Sequence, residues 1–407
     1  MPRSTLYAAA AVAVLLLGGC GGDDPPEAVA TTPGPSETRS WPSARPSATA
    51  PQEPTVADLP AGAYDVVTRV RHLRGDDLLT GVAAVGEDGT LLLTRSRQSI
   101  EGPLDEIGPS WLVLREPDGR TTTIRPPERK KNEQIAGAEF DDRHVVWMGD
   151  AAVELGVAPW VLYAYDRSTG GVRELARAPE LDGRVPPALP GYTEPQIHEG
   201  YVFWAQAGGT VGKETVDVMG CRISACVPEV YVENAAFPDV AGDALYAIRT
   251  RRFAGAGRSP SMQVVRHDLP TGDVRVVRTM KLREAAPSGL SASKRGVAWT
   301  LDGSQGTSIV VRDQASGQET VFRGAPHERF GYPAMTERLV AWAEGSGNSS
   351  DELGGYLYDR RTGERWAIGN ASGLYGIEGA GSVVQWQEAR PERDGGERIV
   401  NVVARLR

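Results

Sequence analysis

The chain has 407 residues, which suggests two or three domains unless a repeat architecture spreads one domain along the whole length. Its 48 glycines and 29 prolines indicate many turns, as in all-β proteins, and argue against long helices. A formal net charge of −9 excludes a strongly basic surface, so the sequence predicts no nucleic-acid partner.

The N-terminus has the pattern of an export signal. Arg3 precedes an apolar run from Leu6 to Leu17, which fits the core of a secretory signal peptide and is too short to span a bilayer. The run ends in Leu17-Gly18-Gly19-Cys20, which resembles the bacterial lipobox, where the cysteine thiol carries a diacylglyceryl group. An ordinary signal peptide with an accidental cysteine is the alternative. We predict a lipoprotein signal peptide over residues 1–19 and a lipid on Cys20 that anchors the exported chain to the outer face of the bacterial cytoplasmic membrane.

A tether follows the lipidation site. Residues 21–60 contain nine prolines among forty residues, with many Ser, Thr and Ala, a composition that cannot bury a core. We therefore predict a disordered tether over residues 20–60 and a folded domain over residues 61–407.

Aromatic residues then recur at the ends of short β-rich runs. These aromatic residues are Trp147, Trp204, Tyr246, Trp299, Trp342 and Trp386. Successive members are 57, 42, 53, 43 and 44 residues apart. A period near 45 with several short strands per unit is typical of a β-propeller, in which these aromatics pack between blades. We count seven units, of which the last is incomplete. Pairing the spare strand Tyr64–Val70 with Ile399–Leu406 would close the ring and remove an exposed edge.

A second sequence motif recurs with the same period as the aromatic residues. It is the phrase YDRSTG at Tyr165 to Gly170, which recurs with variations in three later units. In each copy an aspartate is followed four residues later by a glycine, and the pairs are Asp166 and Gly170, Asp268 and Gly272, Asp313 and Gly317, and Asp359 and Gly363. A leading carboxylate can accept hydrogen bonds from the backbone N–H groups that follow, and glycine tolerates positive φ. We interpret the phrase as the hairpin turn between the third and fourth strands of a blade. A metal or catalytic site is the alternative, but the phrase offers one carboxylate without a partner.

These phrases carry a resemblance to a known superfamily. LYAYDRSTGGVREL (Leu162 to Leu175) and YLYDRRTGERWAI (Tyr356 to Ile368) resemble the repeat of the TolB-like and WD-repeat propellers. The resemblance implies an extracytoplasmic location and binding of a protein or ligand more often than catalysis. The chain departs from TolB in its lipidation signal and in lacking a preceding α/β domain, so TolB's own partners are not carried over.

One unit replaces the acidic phrase with cysteines. Cys221 and Cys226 flank the corresponding turn, and in an exported protein we predict that they form a disulfide. No further ligands accompany them, so we predict neither a metal site nor a cofactor.

Two functional classes stay open. The preferred one is a non-catalytic, membrane-anchored propeller that binds a protein, peptide or envelope polymer through long loops between second and third strands, with candidate contacts Trp160, Arg251, Arg252, Phe253, Asp351 and Glu352. The alternative is a propeller enzyme, a glycosidase or lyase, that uses carboxylates in the central channel. No catalytic motif is complete in the sequence, so we name no catalytic residue. Paired carboxylates in the channel would favour the enzyme.

Overall fold

The described part of the protein begins just before the propeller. The structure is a computed structural model that describes residues 56–74, 78–97, 109–125, 134–150, 159–180, 183, 194–210, 213–251, 261–281, 285–303, 306–325, 328–346, 354–369, 377–391 and 397–407. One compact unit spans Ala57 to Arg407. The predicted signal peptide, Cys20 and the tether as far as residue 55 lie outside the described residues.

Seven antiparallel sheets form the blades of a β-propeller, as the sequence predicts. Blade 1 has the inner strand Leu78–Val85, which pairs on one edge with the short strand Leu73–Arg74, followed outward by Leu91–Arg97, Trp111–Arg115 and Thr121–Ile124. From the innermost strand outward, blade 2 consists of Gln134–Phe140, His144–Asp150, Trp160–Asp166 and Val172–Arg177. In the same order, blade 3 consists of Gln196–His198, Tyr201–Thr210, Lys213–Arg222 and Glu229–Val232. Blades 4 and 5 consist of Ala235–Ala241, Ala244–Arg251, Ser261–Asp268 and Val274–Lys281; and Ala285–Ser293, Gly296–Gly303, Gly306–Asp313 and Glu319–Arg323.

Blades 6 and 7 both include strands from the N-terminal end of the compact unit. Blade 6 has a split inner strand, Glu328–Phe330 and Ala334–Met335, then Leu339–Ser346, Gly355–Asp359, Arg365–Ile368 and, outermost, Ala57–Asp58. Blade 7 consists of Glu378–Ala380, Val383–Pro391, Glu397–Leu406 and, outermost, Tyr64–Arg71. The helical elements of the described residues are two short 3-10 turns, Ala61–Ala63 and Ile223–Ala225. No helix in the described ranges is long and apolar enough to cross a membrane.

The hydrophobic core lies between the blades. Each of seven clusters of buried side chains joins two neighbouring blades, and the pairs run around the ring from blades 1 and 2 to blades 7 and 1. The marker aromatics belong to these clusters and are at most 3% exposed. A strand that packs on a neighbouring blade with both faces needs apolar residues at successive positions. This explains the continuous apolar runs HVVW and LVAW.

Two stretches of the N-terminal segment hold the ring closed. Tyr64 to Arg71 pairs antiparallel with Leu406 to Val400, which confirms the predicted closing strand. Ala57 and Asp58, which the sequence assigns to the tether, pair in parallel with Trp366 and Ala367 on blade 6. The folded unit thus begins earlier than residue 61, because the outer edge of blade 6 offers unpaired backbone groups to the incoming chain.

The four acidic turns share one geometry. In each, the glycine N–H donates to the aspartate carbonyl oxygen at 2.8 or 2.9 Å, and the glycine has a φ between 70° and 77°. The carboxylates of Asp166, Asp268 and Asp313 also accept backbone N–H bonds from residues two or three positions on. These turns therefore join the third and fourth strands, as predicted, and their carboxylates hold the turn.

Candidate functional site

Carboxylates occupy one equivalent position on the innermost strands of several blades. Glu139 pairs with Val146 in blade 2, Asp239 with Tyr246 in blade 4 and Glu378 with Gln385 in blade 7. The same position holds Gln196 in blade 3 and Ser291 in blade 5. Since the innermost strands contact one another around a closed ring, this position recurs around the central channel.

A fourth carboxylate, Glu194, lies just before the innermost strand of blade 3. A Cβ on Gly137 of blade 2 would lie 2.9 Å from the Glu194 Cγ and 3.2 Å from its Cα. Only glycine leaves room for this approach, and Gly137 is two residues before Glu139. We call Glu139, Glu194, Asp239 and Glu378 the channel carboxylates.

The channel carboxylates act on one another electrostatically. The pKa of Glu139 is raised to about 8, mainly by burial and also by the charges of Asp239 and Glu194. Burial also raises the pKa of Glu378 well above its ordinary value, with added repulsion from Glu194, Glu139 and Asp239. Blades 4 and 7 are not neighbours, so repulsion between Asp239 and Glu378 acts across the channel.

Water still reaches these groups. Glu194 is exposed and the other three are half-buried, yet protein atoms surround each of them and burial raises the pKa of Glu194 as well. Solvent exposure and a pKa raised by burial are both expected in a narrow channel, because a side chain there touches water and is enclosed by protein in most directions. The cluster is thus a solvated acidic channel rather than a dry core.

Asp239 differs from its partners because donors surround it. Its two carboxylate oxygens accept the backbone N–H groups of Val240 at 2.7 Å and Ala292 of blade 5 at 2.6 Å. Burial raises the pKa of Asp239, these bonds and the Ser291 hydroxyl oppose the rise, and the net value is about 6. At neutral pH Asp239 is therefore mostly charged while Glu139 holds a proton.

Two aromatic side chains, Phe237 of blade 4 and Tyr332 of blade 6, meet over the innermost strand of blade 5. Tyr332 occupies the position in blade 6 that Gly137 occupies in blade 2, and a Cβ on Gly289 of blade 5 would collide with the Tyr332 ring at 2.3 Å. The ring of Tyr332 meets that of Phe237 edge to face at 5.8 Å and is 40% exposed. Among the described residues, no group of three His, Cys, Asp or Glu side chains is arranged to hold a metal ion.

Two of the six predicted partner contacts, Trp160 and Arg251, lie within the described residues. Trp160, a candidate partner contact, is 1% exposed and packs in the core between blades 2 and 3, where it has no surface to offer a partner. Arg251 ends a strand of blade 4, whereas Arg252, Phe253, Asp351 and Glu352 lie outside the described residues. Cys221 and Cys226 form the predicted disulfide.

Two of the channel carboxylates, Glu139 and Glu378, carry a sequence signal in their spacing from a tryptophan. Glu139, Gln196, Ser291 and Glu378 each lie eight residues before a marker tryptophan, at Trp147, Trp204, Trp299 and Trp386. That spacing follows from two antiparallel strands joined by a tight turn. Aligning the units on tryptophan would have brought these positions into one column.

Comparison with known proteins supports the β-propeller fold of this chain. No protein-family model and no curated protein matches the chain. Puromycin hydrolase is similar with a TM-score of 0.51 and 14% identity, over 85% of this chain and 55% of that chain. A Mycobacterium tuberculosis puromycin-hydrolyzing peptidase has a TM-score of 0.49 at 15% identity, over 85% and 55%. Oligogalacturonate lyase in complex with manganese has a TM-score of 0.42 at 11% identity, over 84% and 98%.

The likeness to puromycin hydrolase supports the fold alone, because the identity is low. The chain spans 55% of the length of that enzyme. Fold and site together define a seven-bladed β-propeller with an acidic central channel. The TolB-like and WD-repeat resemblance stays a prediction from the turn phrases.

Proposed function

We propose that this chain is a non-catalytic propeller that binds a protein, peptide or envelope polymer, with a cationic group of that partner seated among the channel carboxylates. The observation that supports it is the convergence of carboxyl groups from four blades, because the charges of neighbouring channel carboxylates help to raise the pKa values of Glu139, Glu194 and Glu378. An ammonium or guanidinium group would relieve the repulsion between these charges. The exposed ring of Tyr332 adds a surface on which such a cation can stack.

The proposal predicts binding that is coupled to proton release. Trilysine serves as the probe and trialanine as its neutral control, measured by isothermal titration calorimetry on the full-length chain between pH 6 and pH 9. Affinity for trilysine should rise with pH as Glu139 ionises, and protons should leave the protein on binding.

Two matched variants separate the channel from general surface charge. Glu139→Gln removes a channel carboxylate, whereas Glu229→Gln removes an exposed one on the outer strand of blade 3. We expect about tenfold weaker trilysine binding in the first variant and little change in the second. Equal loss in both would reject the channel as the binding site.

The enzyme alternative rests on the same channel carboxylates, which are the feature that the sequence predicts for an enzyme, and on their unequal pKa values. With Asp239 at about 6 and Glu139 at about 8, a neutral solution holds one carboxylate base beside one carboxylic acid. That pairing suits acid and base catalysis by a glycosidase or lyase. Turnover of a glycan with a bell-shaped pH profile, lost in both Asp239→Asn and Glu139→Gln, would establish it.

We also propose that the chain is exported and held at the outer face of the cytoplasmic membrane through a lipid on Cys20. The lipobox-like sequence and the Pro-rich segment after it support this proposal. Metabolic labelling with an alkyne fatty acid should mark the protein, and Cys20→Ser should abolish labelling and release the protein from the membrane fraction. Labelling that survives Cys20→Ser would contradict the anchor.

A further inference from the structure

A second cavity opens on the face that carries the short turns. It has a volume of about 580 Å³, within the range of small-molecule sites. Its walls come from blades 2 and 3 alone, from the turns that follow their first and third strands. None of the channel carboxylates lines it.

Three acidic side chains line this cavity: Asp141 and Asp166, which hold their own turns, and the exposed Glu199, whose carboxylate lies 3.9 Å from the His198 ring. The Asp166 carboxylate accepts the Ser168 hydroxyl at 2.5 Å and the Ser168 backbone N–H at 2.8 Å. The serine hydroxyl and those backbone donors lower the pKa of Asp166 to about 2. Asp141 in turn accepts the backbone N–H groups of Arg143 at 2.8 Å and His144 at 2.6 Å. Both carboxylates therefore stabilise their own turns and have little capacity left for a ligand.

The basic side chains are the available groups. Arg143, Arg173 and Arg222 line the cavity from three different turns or strand ends, and all three are exposed. Arg173 crosses the blade boundary and donates to the Ser224 carbonyl oxygen at 3.1 Å. The charge of Arg143 also acts on the neighbouring Asp166 carboxylate, whose pKa it helps to lower. Guanidinium groups in such a position match the paired oxygens of a carboxylate or phosphate.

The wall that carries Arg222 is held rigidly. The disulfide from Cys221 to Cys226 spans the hairpin, and the Ile223 side chain between them is fully buried. The Ile223 N–H also donates to the Gly200 carbonyl oxygen at 2.8 Å, which ties this hairpin to the first turn of blade 3. A fixed backbone lowers the conformational entropy lost when a ligand orders Arg222.

We propose that this cavity between blades 2 and 3 is an oxyanion-binding site in which Arg143, Arg173 and Arg222 hold a phosphate or carboxylate group of a ligand. The site is independent of the proposed function of the channel, because the two share no residue and select opposite charge. A partner that carries both charges would engage both sites.

The test is calorimetric titration of the full-length chain with inorganic phosphate and, separately, with citrate, at constant ionic strength set by chloride. We expect saturable binding of at least one probe, and comparison of the two affinities identifies phosphate or carboxylate as the preferred group. Arg222→Gln should weaken binding about tenfold or more, since charge-assisted hydrogen bonds are lost. Absence of saturable binding of both probes would overturn the proposal.

Two further variants keep the result interpretable. Arg222→Lys retains the charge and loses the planar fork, so binding should be intermediate. Arg275→Gln makes the same charge change on the exposed outer strand of blade 4 and should leave binding unchanged. An equal loss in Arg275→Gln and Arg222→Gln would mean unspecific attraction and would reject the site. Near-ultraviolet circular dichroism of each variant checks that the fold is retained.

Discussion

Carboxylates serve opposite purposes in two regions of this propeller. In the turns, the hydroxyl and backbone donors of the motif lower the pKa of Asp166 to about 2. In the channel, burial raises the pKa of Glu139 to about 8, and its single backbone bond from Phe140 at 2.9 Å does not compensate. The turn carboxylate is stabilised in its charged form, whereas the channel carboxylate is stabilised with a proton.

The difference teaches that the surroundings of a carboxylate decide its role. A turn supplies two or three donors within a few residues of the aspartate and leaves it in water. The channel brings several like charges together from separate blades and removes part of their water. Local sequence creates the first environment, and only the closed ring creates the second.

The largest expected effect is the pH dependence contributed by Glu139. Its pKa rises from 4.5 to about 8 on folding, so the folded state retains a proton that the unfolded state has lost. Stability is therefore full below pH 4.5 and falls as pH rises toward 8, by about 1.4 kcal/mol per pH unit. Glu139→Gln should make the pH dependence of urea unfolding shallower by this amount between pH 5 and pH 8, with the slopes from Glu194, Asp239 and Glu378 remaining, while Glu229→Gln should leave it unchanged. A wild-type protein whose stability rises over that window would contradict the assignment.

The next effect concerns Asp359, the one turn aspartate that is fully buried. Burial opposes ionisation of Asp359, but hydrogen bonds from Arg338 and from the Arg361 backbone outweigh it, and the pKa is lowered. Arg338 reaches the carboxylate at 2.6 Å and is itself 22% exposed. Asp359→Asn should cost about 3 kcal/mol of unfolding free energy at pH 7, because Arg338 loses its counter-charge.

Asp166→Asn is the matched control for that measurement, since Asp166 occupies the same turn position in an exposed setting. Its loss should be clearly smaller. Similar losses in both variants would mean that burial does not distinguish the two turns.

The smallest effect compares two glycines. Gly137→Ala forces a Cβ to 2.9 Å from the Glu194 Cγ, so blade 3 must shift, at a cost of about 2 kcal/mol. In Gly170→Ala the new Cβ meets no atom within 4 Å, so the only cost is the backbone strain of an alanine at a φ of 73°, about 1 kcal/mol of unfolding free energy. Urea unfolding at pH 6 measures both. A larger loss for Gly170→Ala would show that Glu194 does not pack against Gly137.

The sequence by itself determined the scaffold. The tryptophan period and the Asp-to-Gly turns report local structure that each unit repeats, and they predicted the blades, the closing strand Tyr64 to Val70 and the disulfide from Cys221 to Cys226. Such features survive in sequence because their partners are a few residues away or one period away.

Tertiary structure alone decided the sites. The channel carboxylates come from blades 2, 3, 4 and 7, and Glu139 and Glu378 are more than two hundred residues apart, so no local pattern brings them together. The same holds for Trp160, whose place in the core depends on the packing of blade 3 against blade 2. Ring closure converts distant residues into neighbours, and the pKa shifts that mark the channel exist only after that closure.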